Sequence, residues 1–526
     1  MATHSRGFQS WFDVAVDRRS LLLGGMALCG LPLVSGRPAS ASSLRWAADP
    51  FSLGVASGDP SPDGMVLWTR LAPDPLHGGG MPAAPVEVAW EVALDERFRR
   101  VVQRGRTMAE PAWGHSVHVE VDGLAPGRWY WYRFRVGGDV SPVGRTRTLP
   151  AAGAAIDRLR FAFASCQHYE TGLYTAYSHM VREDLDLVFF LGDYIYEGPG
   201  RENQIRTHVG PELMTLEHYR NRIAQYKTDP RLQEAHAAFP WVLTWDDHEV
   251  DNNYAGDHQE AGMPRDQFLL RRAAAYQAYW EHMPLRRASV PHGPDMQIYR
   301  SMHYGALGSF FVLDTRQYRT PQPCDSGTKP QCAGALDPKG TAMGAAQERW
   351  LLEGLDRSTA RWNVIPQQIM MARVDQGSNT APPRFAMDQW PGYEAERRRL
   401  LSFLDTRKPA NPVVLTGDIH SNWVNNLQVN PDDERSAVVA AELVGTSISS
   451  GGDGGPGAGR MATLQSRNPF VKYYNAQRGY VSCEVTPAAM TAKFQGVDYV
   501  TKPGAPLVTR ATFVVENGQP GAKKVS

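Results

Sequence analysis

The sequence has no excess of charge of either sign. Its 526 residues include 55 Lys plus Arg and 55 Asp plus Glu, so the formal net charge is zero. A protein whose main partner is nucleic acid needs a basic surface that neutralises phosphates, and this balance provides no such overall field. The composition therefore argues against nucleic acid as a stable partner.

Long apolar runs are also absent after the N-terminal segment. Beyond residue 41, no apolar run reaches the length of about 18 residues that a membrane-crossing helix needs. Hydrophobic residues make up 42% of the chain and charged residues 21%, which is typical of a globular enzyme and excludes disorder. We expect a mature protein of two domains, or one large domain, without a transmembrane span.

The N-terminal segment has the order of features of an export signal. Arg18 and Arg19 precede an apolar stretch from Leu21 to Val34, which ends near the small-residue sequence Ala-Ser-Ala at residues 39–41. A surface helix with an accidental arginine pair is the alternative, but the order of these features favours a signal of the twin-arginine type. We predict a signal peptide over residues 1–41, export by the Tat machinery, and a periplasmic or secreted protein.

Cysteine is scarce, with five residues in the whole chain. Cys29 belongs to the predicted signal. Cys324 and Cys332 lie in a loop rich in Pro and Gly, where an oxidising compartment permits a disulfide that the sequence alone leaves open. We expect Cys483 to be a small buried side chain. Cys166 ends an apolar run and has an unusual context.

The stretch from Ser52 to Thr148 contains short runs of alternating apolar and polar residues. VEVAWEVAL, HSVHVEVDGL and WYWYRFRVGG have the period of two that is typical of strands with one buried face, and DG, PG and GG pairs punctuate the region. We predict an N-terminal antiparallel β-sandwich domain over residues 42–150, similar to a fibronectin type III module.

From Leu159 onward, apolar strand-like runs alternate with helical stretches. This alternation is typical of a layered α/β domain, which we predict over residues 151–526. The helices are expected at Tyr174–Glu183, Asp266–Glu281, Ala345–Leu355 and Glu394–Leu404.

Four apolar runs in this second region end at residues that commonly bind metals. In open α/β sheets such residues collect in one crevice at the carboxyl ends of the strands. The runs are LRFAFASC, LDLVFFLGDYIYE, FPWVLTWDDHEVDNN and NPVVLTGDIH, and their polar residues are Cys166, Asp193, Tyr196, Asp246, Asp247, His248, Asn252, Asn253, Asp418 and His420.

Each of these residues also has an ordinary structural explanation. A Gly-Asp pair after a strand is commonly a turn or a helix cap, a cysteine there is commonly core, and His248 alone is equally well explained as a buried, hydrogen-bonded histidine. Four carboxylates brought together would nevertheless repel one another unless cations neutralise them. These carboxylates are Asp193, Asp246, Asp247 and Asp418, and they favour a site with more than one metal.

The donor atoms narrow the choice of metals. Oxygen donors from Asp and Asn suit hard ions such as Ca²⁺, Mg²⁺ or Mn²⁺. The thiolate of Cys166, the phenolate of Tyr196 and the imidazole of His420 favour a more acidic, redox-capable ion such as Fe³⁺. We therefore expect a mixed centre.

The sequence resembles the PhoD-like alkaline phosphatases, a branch of the calcineurin-like metallophosphoesterases. The motifs that carry the resemblance span nearly the whole mature chain in the family's order: GVASGDP, FAFASCQ, LGDYIYE, WDDHEVDNN, DTRQYR, TGDIHSNW and TSISS. The resemblance implies an N-terminal β-sandwich followed by a four-layered α/β/β/α domain built on two mixed sheets. It also implies an Fe³⁺/Ca²⁺ centre, and it agrees with a twin-arginine signal.

The resemblance assigns roles to the residues at two of the strand ends. Cys166 stands where the wider superfamily usually has a metal-binding Asp. Asp193 corresponds to the carboxylate that bridges the metals, and Tyr196 resembles the iron-binding tyrosine of purple acid phosphatases.

The other two strand ends depart from the superfamily pattern. Asp247, His248 and Glu249 match the superfamily's Asn-His-Glu element with Asp in place of Asn. Asp418 and His420 match its Gly-His-X-His element with Asp in place of the first His. These changes move one metal site towards oxygen ligation, which fits calcium. The individual roles of the neighbouring candidate ligands, Asp246 and Asn253, are not separated by sequence.

The predicted reaction is metal-assisted hydrolysis of phosphate esters, monoesters and diesters, by a metal-bound hydroxide. We expect His248 to stabilise the transition state or to assist the leaving alkoxide. Arg201, Arg206 and His208 follow the Asp193 motif, and we name Arg201 as the candidate substrate-binding residue. A solvated loop is an equally good explanation of these three residues.

Two alternatives remain at this stage. The same centre could act as a phosphodiesterase that resembles phospholipase D of this type. A secreted binding protein with an inert second domain is the alternative from a different class, and the intact ligand set argues against it.

Overall fold

The structure is a computed structural model that describes residues 46–377, 381–433 and 435–526. The predicted export signal, with Arg18, Arg19 and Cys29, lies outside the described residues. Within them, no helix combines the length and the hydropathy needed to cross a bilayer.

Eight strands and no α-helix lie between residues 46 and 150. The strands are β1 (Val55–Ser61), β2 (Gly64–Arg70), β3 (Val86–Ala93), β4 (Val101–Ala109), β5 (Ser116–Val121), β6 (Trp129–Val136), β7 (Asp139–Val140) and β8 (Gly144–Arg147). Strands β3, β4, β6, β7 and β8 form one antiparallel sheet, whereas β1, β2 and β5 lie in a second sheet.

These two sheets share an apolar core. Alternate residues of β6, namely Tyr130, Tyr132 and Phe134, are buried and belong to one core with Val55 and Leu67 of the second sheet. The period-two pattern thus places one face of each strand inside, as the sequence indicates. The expected N-terminal β-sandwich is confirmed.

The remaining strands and the seven helices follow residue 150. The strands are β9 (Leu159–Ala164), β10 (Leu187–Leu191), β11 (Pro240–Thr244), β12 (Arg300–Tyr304), β13 (Gly308–Val312), β14 (Thr328–Lys329), β15 (Trp362–Pro366), β16 (Phe385–Ala386), β17 (Pro412–Thr416), β18 (Asn422–Gln428), β19 (Val438–Val444), β20 (Val471–Asn475), β21 (Gly479–Val485), β22 (Ala489–Val497), β23 (Leu507–Glu516) and β24 (Gln519–Lys524). The helices are α1 (Thr175–Met180), α2 (Leu216–Lys227), α3 (Pro230–Ala238), α4 (Arg265–His282), α5 (Gly344–Arg357), α6 (Glu394–Arg407) and α7 (Ala458–Arg467). Four of these helices match the four expected from the sequence.

Two large mixed sheets contain most of these strands. One has ten strands in the order β24-β23-β22-β21-β9-β10-β11-β1-β2-β5, and the other has seven in the order β12-β13-β15-β17-β19-β18-β20. The centre of each sheet is parallel: β9, β10 and β11 in the first, and β13, β15, β17 and β19 in the second.

The two sheets pack face to face, and helices cover their outer faces. Phe161 and Phe189 of the ten-stranded sheet contact Phe310 of the seven-stranded sheet within one core. Helices α1 to α4 bury their apolar sides against the ten-stranded sheet, and α5 to α7 against the other. The four-layered α/β/β/α arrangement is confirmed.

The N-terminal region contributes strands to the ten-stranded sheet. β1 pairs in parallel with β11, with Ser57 opposite Pro240 and Gly58 opposite Trp241. A Cβ atom at residue 58 would lie 2.5 Å from the carbonyl oxygen of Pro284, so this close approach requires glycine. The second sheet of the sandwich is therefore continuous with the sheet of the α/β region, and the domain boundary at residue 150 stays a prediction.

The structure pairs Cys324 with Cys332 in a disulfide. Cys483 is 2% exposed and lies in the core between the two sheets, which confirms the expectation for this residue.

Candidate metal centre

Four parallel strands end at one edge of the two sheets. The chain leaves β9, β10, β11 and β17 there, and Ser165 bridges to Ser447 between the sheets. A Cβ atom at residue 192, just after β10, would lie 2.4 Å from Cβ of Asp246, so glycine lets the β10 and β11 ends come together. The expected convergence of the strand ends is observed.

Five candidate ligands at these ends have a left-handed backbone. Their φ angles lie between 52° and 62°, where residues with a side chain are uncommon. Each such residue costs about 1 kcal/mol or more, and strain of this kind persists only where the surroundings hold it, typically at functional sites. The five residues are Cys166, Asp193, Asn253, Asp418 and His420.

The first donor group combines sulfur, oxygen and nitrogen. Ligand atoms of Cys166, Asp193 and His420 lie within 4.8 Å of one another. The hydroxyl of Tyr196 lies 2.8 Å from Oδ2 of Asp193 and 3.0 Å from Nε2 of His420. Four of the predicted ligands therefore meet at one point.

Burial keeps the thiol and the phenol of this group neutral in the absence of a cation. It raises the pKa of Cys166 well above its ordinary value, and the charge of Asp193 raises it further. The pKa of Tyr196 is raised by the same two causes. A cation reverses this preference, because it stabilises the thiolate and the phenolate.

The second donor group consists of carboxylates and one imidazole. Asp193, Asp247 and His248 offer ligand atoms within 4.8 Å of one another. Asp193 thus belongs to both groups, and its buried Oδ1 has no hydrogen-bond partner among the described residues. An unsatisfied buried carboxylate oxygen between two donor groups fits a cation-bridging role.

Asp246, Asp247 and Asp418 form a third cluster within 4.8 Å, and an arginine lies among them. Nε of Arg316 donates to Oδ1 of Asp246, and its Nη2 lies 3.8 Å from Asp247 and 3.6 Å from Asp418. Arg316 is completely buried, and its Nη1 also donates to Asp388 at 2.9 Å. One oxygen of Asp246 is therefore used by a protein cation, while its buried Oδ2 has no hydrogen-bond partner among the described residues.

Burial and Arg316 act in opposite directions on the pKa values of these three aspartates. Burial raises the pKa of Asp246 well above its ordinary value. Burial opposes ionisation of Asp247 as well, but Arg316 and His248 bring the pKa of Asp247 below its ordinary value. Burial raises the pKa of Asp418 to about 6 in spite of Arg316.

His248 is held by a carboxylate that sequence reasoning missed. Its Nδ1 donates to Oε2 of Glu197 at 2.7 Å, and Oε1 of Glu197 accepts the backbone N–H of Asn252 at 2.8 Å. Burial alone would lower the pKa of His248, but Glu197, Asp247 and Asp193 raise it well above its ordinary value. The imidazole is therefore oriented and favoured in its protonated form.

Two further residues fix the ligand loops, and one of them, Glu249, belongs to the Asn-His-Glu element already matched in the sequence. Glu249 accepts the backbone N–H groups of Tyr194 and Asp246, so it ties the β10 loop to the β11 loop. Nε2 of Gln389 donates to Oδ2 of Asp418. The local signal for Glu249 was present in its motif, whereas Gln389 and Arg316 come close only through the tertiary fold.

Asn253 lies beside the carboxylate cluster. Its backbone N–H donates to Oδ2 of Asp247 at 2.7 Å, and its side-chain amide donates to Glu260 at 2.9 Å. The structure therefore brings Asn253 to the site, in contact with a predicted ligand.

The three residues of the loop after Asp193 differ in position. Nη1 of Arg206 donates to Asp229 at 2.6 Å, and its guanidinium stacks on Tyr169. His208 is 4% exposed and lies 2.9 Å from the hydroxyl of Tyr226. These two side chains are largely enclosed by partners within the protein, whereas the Arg201 side chain is paired with Glu170 and remains 55% exposed.

Comparison with known proteins agrees with this architecture. The family described as PhoD-like phosphatase matches residues 161–494, and its N-terminal domain matches residues 37–150. Alkaline phosphatase D of Bacillus subtilis (strain 168) is 51% identical over 529 aligned residues, which cover 98% of this chain and 91% of the relative.

A solved structure described as the structure of PhoD has the same fold. It superposes with a TM-score of 0.89 at 52% identity, over 92% of this chain and 94% of that one. At this TM-score the relative has the overall fold described above. The chain belongs to the PhoD-like phosphatase family and is a phosphoric ester hydrolase.

Proposed function

We propose that the protein hydrolyses phosphate monoesters and diesters at a mixed Fe³⁺/Ca²⁺ centre. The supporting observation is that Asp193 belongs to two donor groups of different chemical character. The group with Cys166, Tyr196 and His420 offers a thiolate, a phenolate and an imidazole, which suit Fe³⁺. The group with Asp247 and its neighbours is rich in oxygen, which suits Ca²⁺.

The oxygen-rich part of the site consists of Asp247, Asp418 and Asn253, with Asp246 behind them against Arg316. In this arrangement Asp246 holds the buried arginine with Oδ1, and its unpartnered Oδ2 is available to a cation. When bound, the cations supply Lewis acidity, which neutralises negative charge on the phosphate and acidifies water at the site.

His248 is the proposed general acid. Its Nδ1 is committed to Glu197 at 2.7 Å, so the proton available for the leaving alkoxide is on Nε2. Because the surrounding carboxylates raise the pKa of His248, this proton is retained to higher pH than in an ordinary histidine. Glu197 acts as a positioning residue that fixes the ring and its charge.

The proposed location is the periplasm or the exterior of the cell, reached by twin-arginine export. The disulfide between Cys324 and Cys332 supports this, because such bonds persist in oxidising compartments. The arginine pair and apolar stretch of the N-terminal segment are the second support.

Elemental analysis combined with a paired assay tests the proposal. Protein purified from its own compartment should contain iron and calcium and should hydrolyse a nitrophenyl monoester and a bis-nitrophenyl diester. Asp193→Asn should lose both metals and both activities, whereas Asp266→Asn, which changes a carboxylate with a 97% exposed side chain, should retain them. An Asp193→Asn protein with the metal content and the rates of the parent would overturn the proposed centre.

A further inference from the structure

His168 and Arg201 lie beside the metal centre but outside the donor groups. The His168 ring packs against the Tyr196 ring with 4.4 Å between centroids. The Tyr196 hydroxyl in turn contacts Asp193 at 2.8 Å. His168 is therefore separated from the bridging carboxylate by one aromatic ring, and Arg201 lies on its far side.

A buried carboxylate fixes the arginine at this position. Glu170 is fully buried and accepts the backbone N–H of Arg201 at 2.8 Å and its Nε at 3.0 Å. It also accepts the backbone N–H of His208 at 3.1 Å, so one side chain anchors the loop at two points. The guanidinium is thus held at its inner edge while its outer part faces solvent.

Both nitrogens of the His168 ring face hydrogen-bond donors. The backbone N–H of Glu170 lies 3.2 Å from Nδ1, and Nη2 of Arg201 lies 3.2 Å from Nε2. A neutral imidazole accepts at one nitrogen only, so the ring satisfies one of these two donors. The guanidinium has five N–H groups, of which one on Nε and one on Nη2 face protein partners, and its half-exposed outer edge offers the others to an acceptor outside the protein.

We propose that His168 and Arg201 bind a second anionic group of the substrate, so that the enzyme prefers phosphate esters whose alcohol carries another phosphate. The inference rests on the proposed hydrolysis of phosphate esters and specifies the class of ester. The contacts that link Arg201 to Asp193 run through the rings of His168 and Tyr196, and the guanidinium is therefore assigned to a neighbouring group of the substrate and not to the phosphate under attack. An anionic oxygen there gains a charge-assisted hydrogen bond from the arginine.

Two matched substrates test this preference. Propane-1,3-diol monophosphate and bisphosphate differ only in the second phosphate, and the ratio of their kcat/KM values measures its contribution. The parent should prefer the bisphosphate. Arg201→Gln should lower this ratio about tenfold, the effect expected for losing one hydrogen bond to a charged group.

A control variant separates this effect from general loss of charge. Arg357→Gln removes an arginine with a 74% exposed side chain on α5, and its ratio should equal that of the parent. If Arg201→Gln does not fold, Arg201→Lys replaces it, and the ratio should again fall, because an ammonium lacks the planar fork of the guanidinium.

The possible results are distinct. A parent that hydrolyses both substrates with equal kcat/KM, or an Arg201 variant with the parental ratio, overturns the second anion site and leaves the proposed function intact. A parent that contains the metals and hydrolyses the nitrophenyl esters but neither propanediol ester overturns this inference alone. A metal-containing parent that hydrolyses none of the four esters overturns the proposed function and this inference with it.

Discussion

Replacing Glu197 by glutamine tests the proposed proton donor. The Glu197 side chain is 10% exposed, and its carboxylate accepts a hydrogen bond from Nδ1 of His248. An amide of the same shape carries no charge, and its single oxygen accepts from His248 or from the backbone N–H of Asn252 but not from both. The substitution therefore removes the electrostatic support of the imidazolium with little change in packing.

The size of the effect follows from the type of bond that is weakened. A hydrogen bond to a charged group contributes about 1.5–3 kcal/mol. Each 1.36 kcal/mol corresponds to a factor of ten in rate, so kcat should fall about tenfold to a hundredfold. KM should change less, because the pair does not touch the metal-held phosphate.

The pH profile gives an independent measurement. Glu197 raises the pKa of His248, so its neutralisation lowers that pKa. Activity that requires the protonated imidazole is lost as pH rises through this pKa. The alkaline limb of the kcat profile should therefore move to lower pH in Glu197→Gln.

Steady-state kinetics from pH 6 to 11 checks both effects, with Glu217→Gln on an exposed position of α2 as the matched control. A Glu197→Gln enzyme with parental kcat and an unchanged alkaline limb would refute the role of Glu197 and, with it, the protonated His248.

Four further outcomes are expected. Dialysis against a Ca²⁺-selective chelator should remove most activity and Ca²⁺ should restore it, and restoration by Zn²⁺ instead would contradict the calcium assignment. Cys166→Ser should fold but lose iron and most turnover because serine ionises far less readily than cysteine, whereas Cys483→Ser should keep both iron and turnover. Tyr196→Phe should weaken a visible iron charge-transfer band. An active, colourless parent that contains no iron would contradict both expectations. Arg316→Met should lower the free energy of unfolding by about 3–5 kcal/mol in a denaturant titration, because it leaves Asp246 buried without its partner. An unchanged midpoint would show that this ion pair does not stabilise the fold.

The layered fold was accessible from local patterns. The period-two alternation in β6 predicts a strand with one buried face, and an apolar run such as Phe161 to Ala164 predicts a strand that is buried on both faces. Both kinds of strand could therefore be recognised from the sequence. The pairing of β1 with β11 could not be predicted, because Ser57 and Pro240 lie far apart in sequence and the sequence of a strand does not identify the strand with which it pairs. Local sequence patterns therefore predicted two domains but did not show that the N-terminal strands share a sheet with the α/β region.

The residues of the candidate site also fall into those that could be predicted from the sequence and those that could not. Cys166, Asp193 and Asp418 could be named because each follows an apolar run, and strand ends of a parallel sheet converge. Arg316 and Gln389 could not, since each reaches its aspartate only through tertiary packing. A sequence motif indicates which residues carry chemistry, but partners that hold them require the fold.

The shared sheet has a consequence for how the active enzyme can be assembled. β11 carries Asp247 and His248 at its end, and it is flanked by β10 on one side and by β1 on the other. A chain that starts at residue 151 would leave β11 as a bare edge, with unpaired backbone groups and an apolar face open to other chains. We therefore expect the region after residue 150 to need the N-terminal strands for its stability, although these strands do not contribute candidate ligands to the site.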